Sequence, residues 1–173
     1  VLFRSLNSDD YRPEQLCLAQ VECLEKNANI DIVYSDYYSS YDRNIPTSKA
    51  DNWYLISLPE FQPHLMYQNQ CGFHLMWRKS VHENNGYFIE SFQFNYLWEF
   101  WNRCAKNGAH FKKVKGEPAT HYFNYFNQKK IFHTTDDYAK STQEELLIRQ
   151  AYRSMWSCST DDQKHFVIIT ASY

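Results

Sequence analysis

Leu6-Asn7-Ser8-Asp9-Asp10, followed at once by Tyr11-Arg12-Pro13, is the stretch on which the reading of this chain turns. An apolar residue leads into two adjacent carboxylates, and a proline stands where a helix can begin, so the pattern predicts a strand ending in a metal-binding turn. Hard divalent cations such as Mg²⁺ and Mn²⁺ take oxygen ligands, and one or two carboxylates plus substrate phosphates complete many such sites. Phosphate chemistry at a bound cation is therefore the first expectation. The same residue types also stabilise turns and cap helices without any ion, so the pentapeptide by itself leaves both readings open.

Composition narrows the field. A chain of 173 residues is long enough for one domain with a real core. Its net charge of -2 carries no general nucleic-acid footprint, so nucleic acid is not an expected partner. Aromatic residues make up 18%, with 14 Tyr and 12 Phe, a supply suited to stacking on sugars or bases but also to ordinary strand-forming segments. Five cysteines, an odd number without CxxC or Cys/His spacing, point to neither a disulfide framework nor a zinc site, and a reducing compartment follows. No apolar run approaches the roughly 20 residues a membrane helix requires, and no signal peptide is visible. The expectation is a soluble, cytoplasmic protein without a membrane segment.

The two ends read differently from the middle. Val1-Leu2-Phe3-Arg4-Ser5 sets Arg and Ser where a buried strand leading into Leu6 should stay apolar, and these five residues match the translated tail of a common sequencing adapter. Residues 1–5 are therefore expected to be a non-native scar. No initiator Met is present, and the sequence stops straight out of the apolar run Phe166-Val167-Ile168-Ile169-Thr170. A truncated fragment of a longer protein is expected.

Between the ends, Leu16, Ala19, Gln20, Cys23 and Leu24 recur at helical spacing after Pro13, predicting a helix from Pro13 to Lys26 with the proline in its first turn. Ile30 to Tyr38 is rich in β-branched and aromatic residues and predicts one strand. Residues 42–53 read as an exposed loop, and 61–70 are ambiguous. Cys71 to Arg78 predicts a short buried strand, followed by a helical turn closed by Asn85-Gly86. Tyr87 to Phe92 reads as a loop, and Asn95 to Lys106 predicts a helix with Phe94, Trp98, Trp101 and Ala105 on one side. Two short strands follow, Phe111 to Val114 and Ala119 to Phe123, separated by Gly116-Glu117-Pro118. A helix is expected from Ser141 to about Ser154, with Glu144-Glu145 early and Arg149 and Arg153 late, matching the helix dipole. Ser157 to Lys164 reads as a polar linker, and Phe166 to Thr170 as a strand.

The ordered series Leu6-Asn7-Ser8-Asp9-Asp10-Tyr11, Ile32-Val33-Tyr34-Ser35-Asp36, Met76-Trp77-Arg78-Lys79-Ser80-Val81-His82, Asn85-Gly86-Tyr87-Phe88, Glu90-Ser91-Phe92 and Trp98-Glu99-Phe100-Trp101-Asn102-Arg103 resembles the family-2 glycosyltransferases of the GT-A fold. The likeness runs from Leu6 to about Tyr152 and lies in the order of the pieces more than in any one of them. It implies an α/β fold, a GT-A-like (Rossmann-like) mixed sheet flanked by helices, here lacking the N-terminal nucleotide-binding strands. It also implies a nucleotide-diphosphate sugar donor, Mn²⁺ or Mg²⁺, and transfer to a hydroxyl of a glycan, lipid or protein acceptor. Residues 6–135 are expected to be the C-terminal part of the transferase domain, and 136–164 a helix and linker. Residues 165–173 would open a second such domain, unless they add a last strand to the present sheet.

Carried over position by position, the resemblance gives Asp10 the metal that bridges the donor diphosphate, with Asp9 facing the ribose or sharing the ion. A bound cation stabilises the charge that grows on the departing nucleoside diphosphate. Arg78 falls where the family closes the donor and acceptor pocket, a salt bridge anchoring the loop being the equal alternative. His121, and behind it His82, are weak candidates for a third metal ligand, and Trp98, Phe100 and Trp101 fit a helix core better than a sugar platform. Tyr122 to Asn127 resembles a Tyr-Asn-Pro-type segment but lacks its Pro-x-Gly turn.

One departure bears on activity. The family's pattern Asp-Trp/Tyr-Glu-Phe-Trp-Leu-Arg supplies the catalytic base at its Asp, and the aligned residue here is Leu97, which cannot accept a proton. Glu99 is the weak substitute base, although residues two apart on a helix point in different directions. The remaining alternatives are a local shift of register, or a non-catalytic domain that binds nucleotide sugar or glycan. Acid–base help is typically worth about 10²–10⁴-fold, so its loss would leave binding and cripple turnover. Residues 1–173 alone are expected to be inactive.

Overall fold

The computed structural model describes residues 1–4, 11–40, 54–116, 118–122 and 135–157. The elements are β1 (Leu2–Arg4), α1 (Glu14–Lys26), β2 (Ile32–Tyr34), β3 (Tyr37–Ser40), β4 (Tyr54–Ile56), a 3₁₀ turn (Pro63–Tyr67), β5 (Met76–Arg78), α2 (Ser80–Asn85), α3 (Tyr96–Lys106), β6 (Phe111–Lys113), β7 (Ala119–Tyr122) and α4 (Thr135–Trp156). This is a mixed α/β architecture with a four-stranded mixed sheet, in the order β1-β5-β2-β6, flanked by helices. A second sheet has the order β4-β3-β7. Strand β5 runs antiparallel to both β1 and β2, whereas β2 and β6 are parallel. It follows that β1, β2 and β6 all point the same way, and their carboxyl ends share one edge of the sheet.

Burial explains the strand at the centre. Ile32, Val33 and Tyr34 are all fully buried, so β2 shows no alternation of exposed and buried residues, as befits a strand covered on both faces. Helix α1 packs on β2 and β5, turning Leu16, Gln20 and Leu24 inward. Trp101 of α3 meets Trp77 of β5 edge-on at 5.2 Å and closes on Phe111 of β6 at 6.5 Å. Those two edge-to-face contacts give the core a fixed geometry beyond simple area burial.

The strand predicted over Ile30 to Tyr38 is in fact two, β2 and β3, in different sheets. The chain bends at Ser35-Asp36, where Asp36 accepts hydrogen bonds from the Leu58 N–H at 2.6 Å and the Lys113 ammonium at 2.7 Å. Strands β6 and β7 divide in the same manner, each parallel to its counterpart. Residue pattern marks both segments as extended, but a bend held by a distant lysine leaves no local trace.

Leu2 to Arg4, within the residues 1–5 expected to be a non-native scar, form the edge strand β1. Its register sets Leu2 opposite Arg78, Phe3 opposite Trp77 and Arg4 opposite Met76. Pairing at a sheet edge is made by backbone groups, so it tolerates an unsuitable sequence, and only Leu2 of the three is partly shielded.

Helix α2 ends as expected: Gly86 has φ 74 and returns its N–H to the His82 carbonyl at 2.8 Å. Helix α4 starts at Thr135, earlier than expected, and is docked rather than free, burying Glu144, Ile148 and Tyr152 on one face. Helix α3 has no capping side chain of its own. Glu144 of α4 instead binds the segment leading into α3, accepting the backbone N–H groups of Gln93, Phe94 and Asn95 at 2.6, 3.0 and 2.8 Å, and sets its charge near the positive end of the α3 dipole. No helix among the described residues is long and apolar enough to cross a membrane. The loop expected over 42–53 and the linker and strand expected after Ser157 lie outside the described residues.

Candidate functional site

The acidic residues Asp9 and Asp10 fall between two elements that are themselves fixed. Strand β1 ends at Arg4 and α1 begins at Glu14. Arg12 reaches the Leu75 carbonyl at 3.3 Å and the Gln20 amide oxygen at 3.5 Å, while Gln20 itself donates to the His74 carbonyl at 2.8 Å. The approach to β5 thus holds Arg12, just ahead of α1. Asp9 and Asp10 themselves lie outside the described residues. Their donor set, two adjacent carboxylates, suits an oxygen-seeking Mn²⁺ or Mg²⁺. Among the described residues no group of three or more His, Cys, Asp and Glu side chains could hold a metal ion.

Arg78 is turned to structural use. Its Nε donates to the Ile30 carbonyl at 2.8 Å, and its Nη2 to the carbonyls of Asn27, at 3.2 Å, and Leu24. Leu24 lies in the last turn of α1 and Asn27 is its C-terminal cap, so the guanidinium gathers carbonyls that the helix leaves unpaired and places a cation at the negative end of its dipole. The carbonyls of the α1 terminus, rather than a carboxylate, are what Arg78 anchors.

Glu99 is likewise engaged. It is only 3% exposed, and Arg103 grips both its oxygens, Nε to Oε1 at 2.9 Å and Nη2 to Oε2 at 2.8 Å. The Tyr152 hydroxyl donates to Oε1 at 2.8 Å. This carboxylate raises the Arg103 pKa by its hydrogen bond, and burial together with the same carboxylate raises that of Tyr152. Arg103 also donates to the backbone carbonyls of Asn85 and Tyr87, joining α3 to the end of α2. A buried carboxylate held by a guanidinium and a phenol is not presented to an acceptor hydroxyl. The helix period explains this: Glu99 stands two residues from Leu97 and so faces Arg103 and α4.

His82 is buried and has both ring nitrogens in use. Nε2 accepts from Trp77 Nε1 at 3.0 Å, which leaves Nδ1 to donate to the Gly86 carbonyl at 3.0 Å. A neutral ring so bonded has no lone pair left for a metal. His121 lies on β7 with its backbone opposite Ser39, and its side chain is outside the described residues. Phe100 and Trp101 are fully buried and Trp98 is 8% exposed, donating its indole N–H to the Met66 carbonyl at 2.8 Å, so all three are core as expected.

Leu97, the residue standing where a base was sought, lines an open cavity of about 420 Å³ between the 3₁₀ turn and helix α4. Tyr67, Gln68, Asn69, Trp98, Glu145 and Arg149 line it as well. The sequence reading missed this lining. Residues 67–69 belong to the ambiguous segment 61–70, and Glu145 and Arg149 read only as charges matching the helix dipole.

Comparison with known proteins found no family model and no curated protein that matches the chain.

Proposed function

We propose that this chain is the C-terminal part of a GT-A glycosyltransferase domain of family 2, transferring a sugar from a metal-bound nucleotide diphosphate to an acceptor hydroxyl. What supports the reading is the mixed α/β sheet flanked by helices, on whose β2, β5, α2 and α3 the resembling segments Ile32-Val33-Tyr34-Ser35-Asp36, Met76-Trp77-Arg78-Lys79-Ser80-Val81-His82 and Trp98-Glu99-Phe100-Trp101-Asn102-Arg103 fall in order.

On this reading Asp10 and Asp9 hold Mn²⁺ or Mg²⁺ against the donor diphosphate. The cation supplies Lewis-acid stabilisation of the charge that collects on the leaving nucleoside diphosphate. Arg12 ties the chain just ahead of α1 to the Leu75 carbonyl and to Gln20. Proton removal from the acceptor is the step these residues do not provide, since Leu97 is apolar and Glu99 is bound to Arg103 and Tyr152.

That gap favours a second reading, a domain that binds nucleotide sugar or glycan without transfer. Calorimetric titration of the longest form of the protein with UDP and GDP, with and without Mn²⁺, tests the first claim, which expects Mn²⁺-dependent binding lost in Asp10→Asn. Absence of such binding overturns both readings of the aspartates. Where binding holds, transfer by the wild type supports the enzyme, and its absence, with turnover appearing in Leu97→Asp, supports the binding module.

A further inference from the structure

We infer that His82 is an acid-sensitive latch: neutral, it ties β5 to the segment Gly86-Tyr87-Phe88 beyond α2, and a second proton on its ring releases that segment. The inference stands on the geometry around this one side chain and is independent of the glycosyltransferase reading. His82 is 6% exposed, and five aromatic rings close on it with centroids between 4.8 and 5.9 Å away. They are Phe3 of β1, Trp77 of β5, Tyr87 and Phe88 beyond α2, and Phe100 of α3.

The two ring nitrogens have partners of opposite kind. Trp77 Nε1 can only donate, and it gives its N–H to His82 Nε2 at 3.0 Å, so Nε2 keeps a lone pair. Nδ1 therefore carries the one proton of the neutral ring and gives it to the Gly86 carbonyl at 3.0 Å. A second proton would go to Nε2 and set two N–H groups head to head. Turning the imidazole over brings no relief, because the charged ring donates from both nitrogens and indole accepts at none. The protonated ring must leave Trp77, and the bond that holds Gly86 goes with it.

The surrounding charges give a second proton no help. On the elements packed around the ring the acids are Glu83 of α2, paired with Lys79 at 3.4 Å on the surface, Glu99 of α3, bound to Arg103 and Tyr152, and the exposed Glu90 beyond Phe88. The cations there are the Val1 amine, Arg4, Arg78, Lys79, Arg103 and Lys106. Arg103 donates to the carbonyls of Asn85 and Tyr87, so a fixed positive charge brackets the acceptor of the ring, Gly86. The stacked faces of Tyr87 and Phe100 would attract a cation, and Phe100 already holds the Arg103 guanidinium at 5.1 Å. That attraction does not supply the acceptor a second N–H needs.

A histidine in an unfolded chain takes up its second proton at about pH 6.5. The closed latch has no place for that proton, so the open and unfolded forms bind more protons in acid than the closed one. The latch accordingly holds above about pH 6.5 and weakens below it.

Hydrogen exchange read by NMR on the 173-residue chain, from about pH 7.5 down to about pH 5, tests the latch at the Trp77 indole N–H and the Gly86 amide. Relative to the intrinsic rate at each pH, exchange of both should quicken in acid, approaching about tenfold per pH unit, the limit for one proton. His82→Gln, whose carboxamide accepts from Trp77 without titrating, should show no such rise. The ring nitrogen shifts of wild-type His82 at neutral pH should report the proton on Nδ1. A proton on Nε2 instead, exchange that stays flat into acid, or the same rise in His82→Gln overturns the latch. Should His82→Gln fail to fold, Trp77→Phe takes its place, keeping the histidine and removing the opposing N–H. Its acid rise should be smaller than that of the wild type, and an equal rise overturns the latch.

Discussion

The Tyr152 hydroxyl on α4 donates to the Glu99 carboxylate on α3 across 2.8 Å, closing a triangle whose third corner is Arg103. That contact joins two helices far apart in sequence and assigns Glu99 to holding the fold. Breaking a buried ion pair by removing one partner leaves the other charge uncompensated, a loss of about 3–5 kcal/mol.

Glu99→Gln is therefore expected to destabilise the chain by about 3 kcal/mol, since the amide keeps a hydrogen bond from Tyr152 but faces Arg103 without charge. Urea unfolding followed by circular dichroism measures it. An unchanged midpoint would show that the triangle holds nothing, and would return Glu99 to the candidates for a base.

Arg78 makes the parallel case on the other side of the sheet. Lysine preserves the charge but not the fork that reaches the carbonyls of Leu24, Asn27 and Ile30 together, so Arg78→Lys should cost about 1–2 kcal/mol. Hydrogen exchange at the last turn of α1 should accelerate in step. Nucleotide affinity in the longest form of the protein should stay within twofold of wild type, by the about 0.4 kcal/mol that distinguishes noise from a lost contact; a larger fall would place Arg78 at the donor.

Alkaline pH should unfold this protein early. Burial raises the pKa of Tyr34, Cys71 and Tyr152, and lifts that of Cys104 from 9.0 to about 12. Each group holds its proton more tightly when folded, so the folded chain binds more protons than the unfolded one above pH 9. Stability from Cys104 is complete below pH 9 and is lost as pH rises through about 12. Urea midpoints should be flat from about pH 7 to pH 9 and fall above it, and Cys104→Ala should flatten that fall by up to about 1.4 kcal/mol per pH unit. A slope unaltered in the variant would remove Cys104 from the account.

Local pattern carried much of the architecture. The spacing of Leu16, Gln20 and Leu24, the Asn85-Gly86 stop and the run from Asn95 to Lys106 specify three helices, because each signal is written within a turn or two of chain. The aromatic and β-branched run from Ile30 specified extended structure but not its division, since Asp36 bends toward Leu58 and Lys113 only once β6 is alongside.

By itself the sequence determined most of the helices and which face of α1 and α3 turns inward. Tertiary structure alone decided the fate of the polar side chains. Glu144 holds the chain leading into a helix it does not belong to, Arg78 collects carbonyls from the end of α1, and Glu99 is claimed by Arg103 and Tyr152. The reason is physical: an apolar side chain needs only to leave water, which periodicity records, whereas a buried charge needs one partner at one distance, and that partner is chosen when distant segments meet.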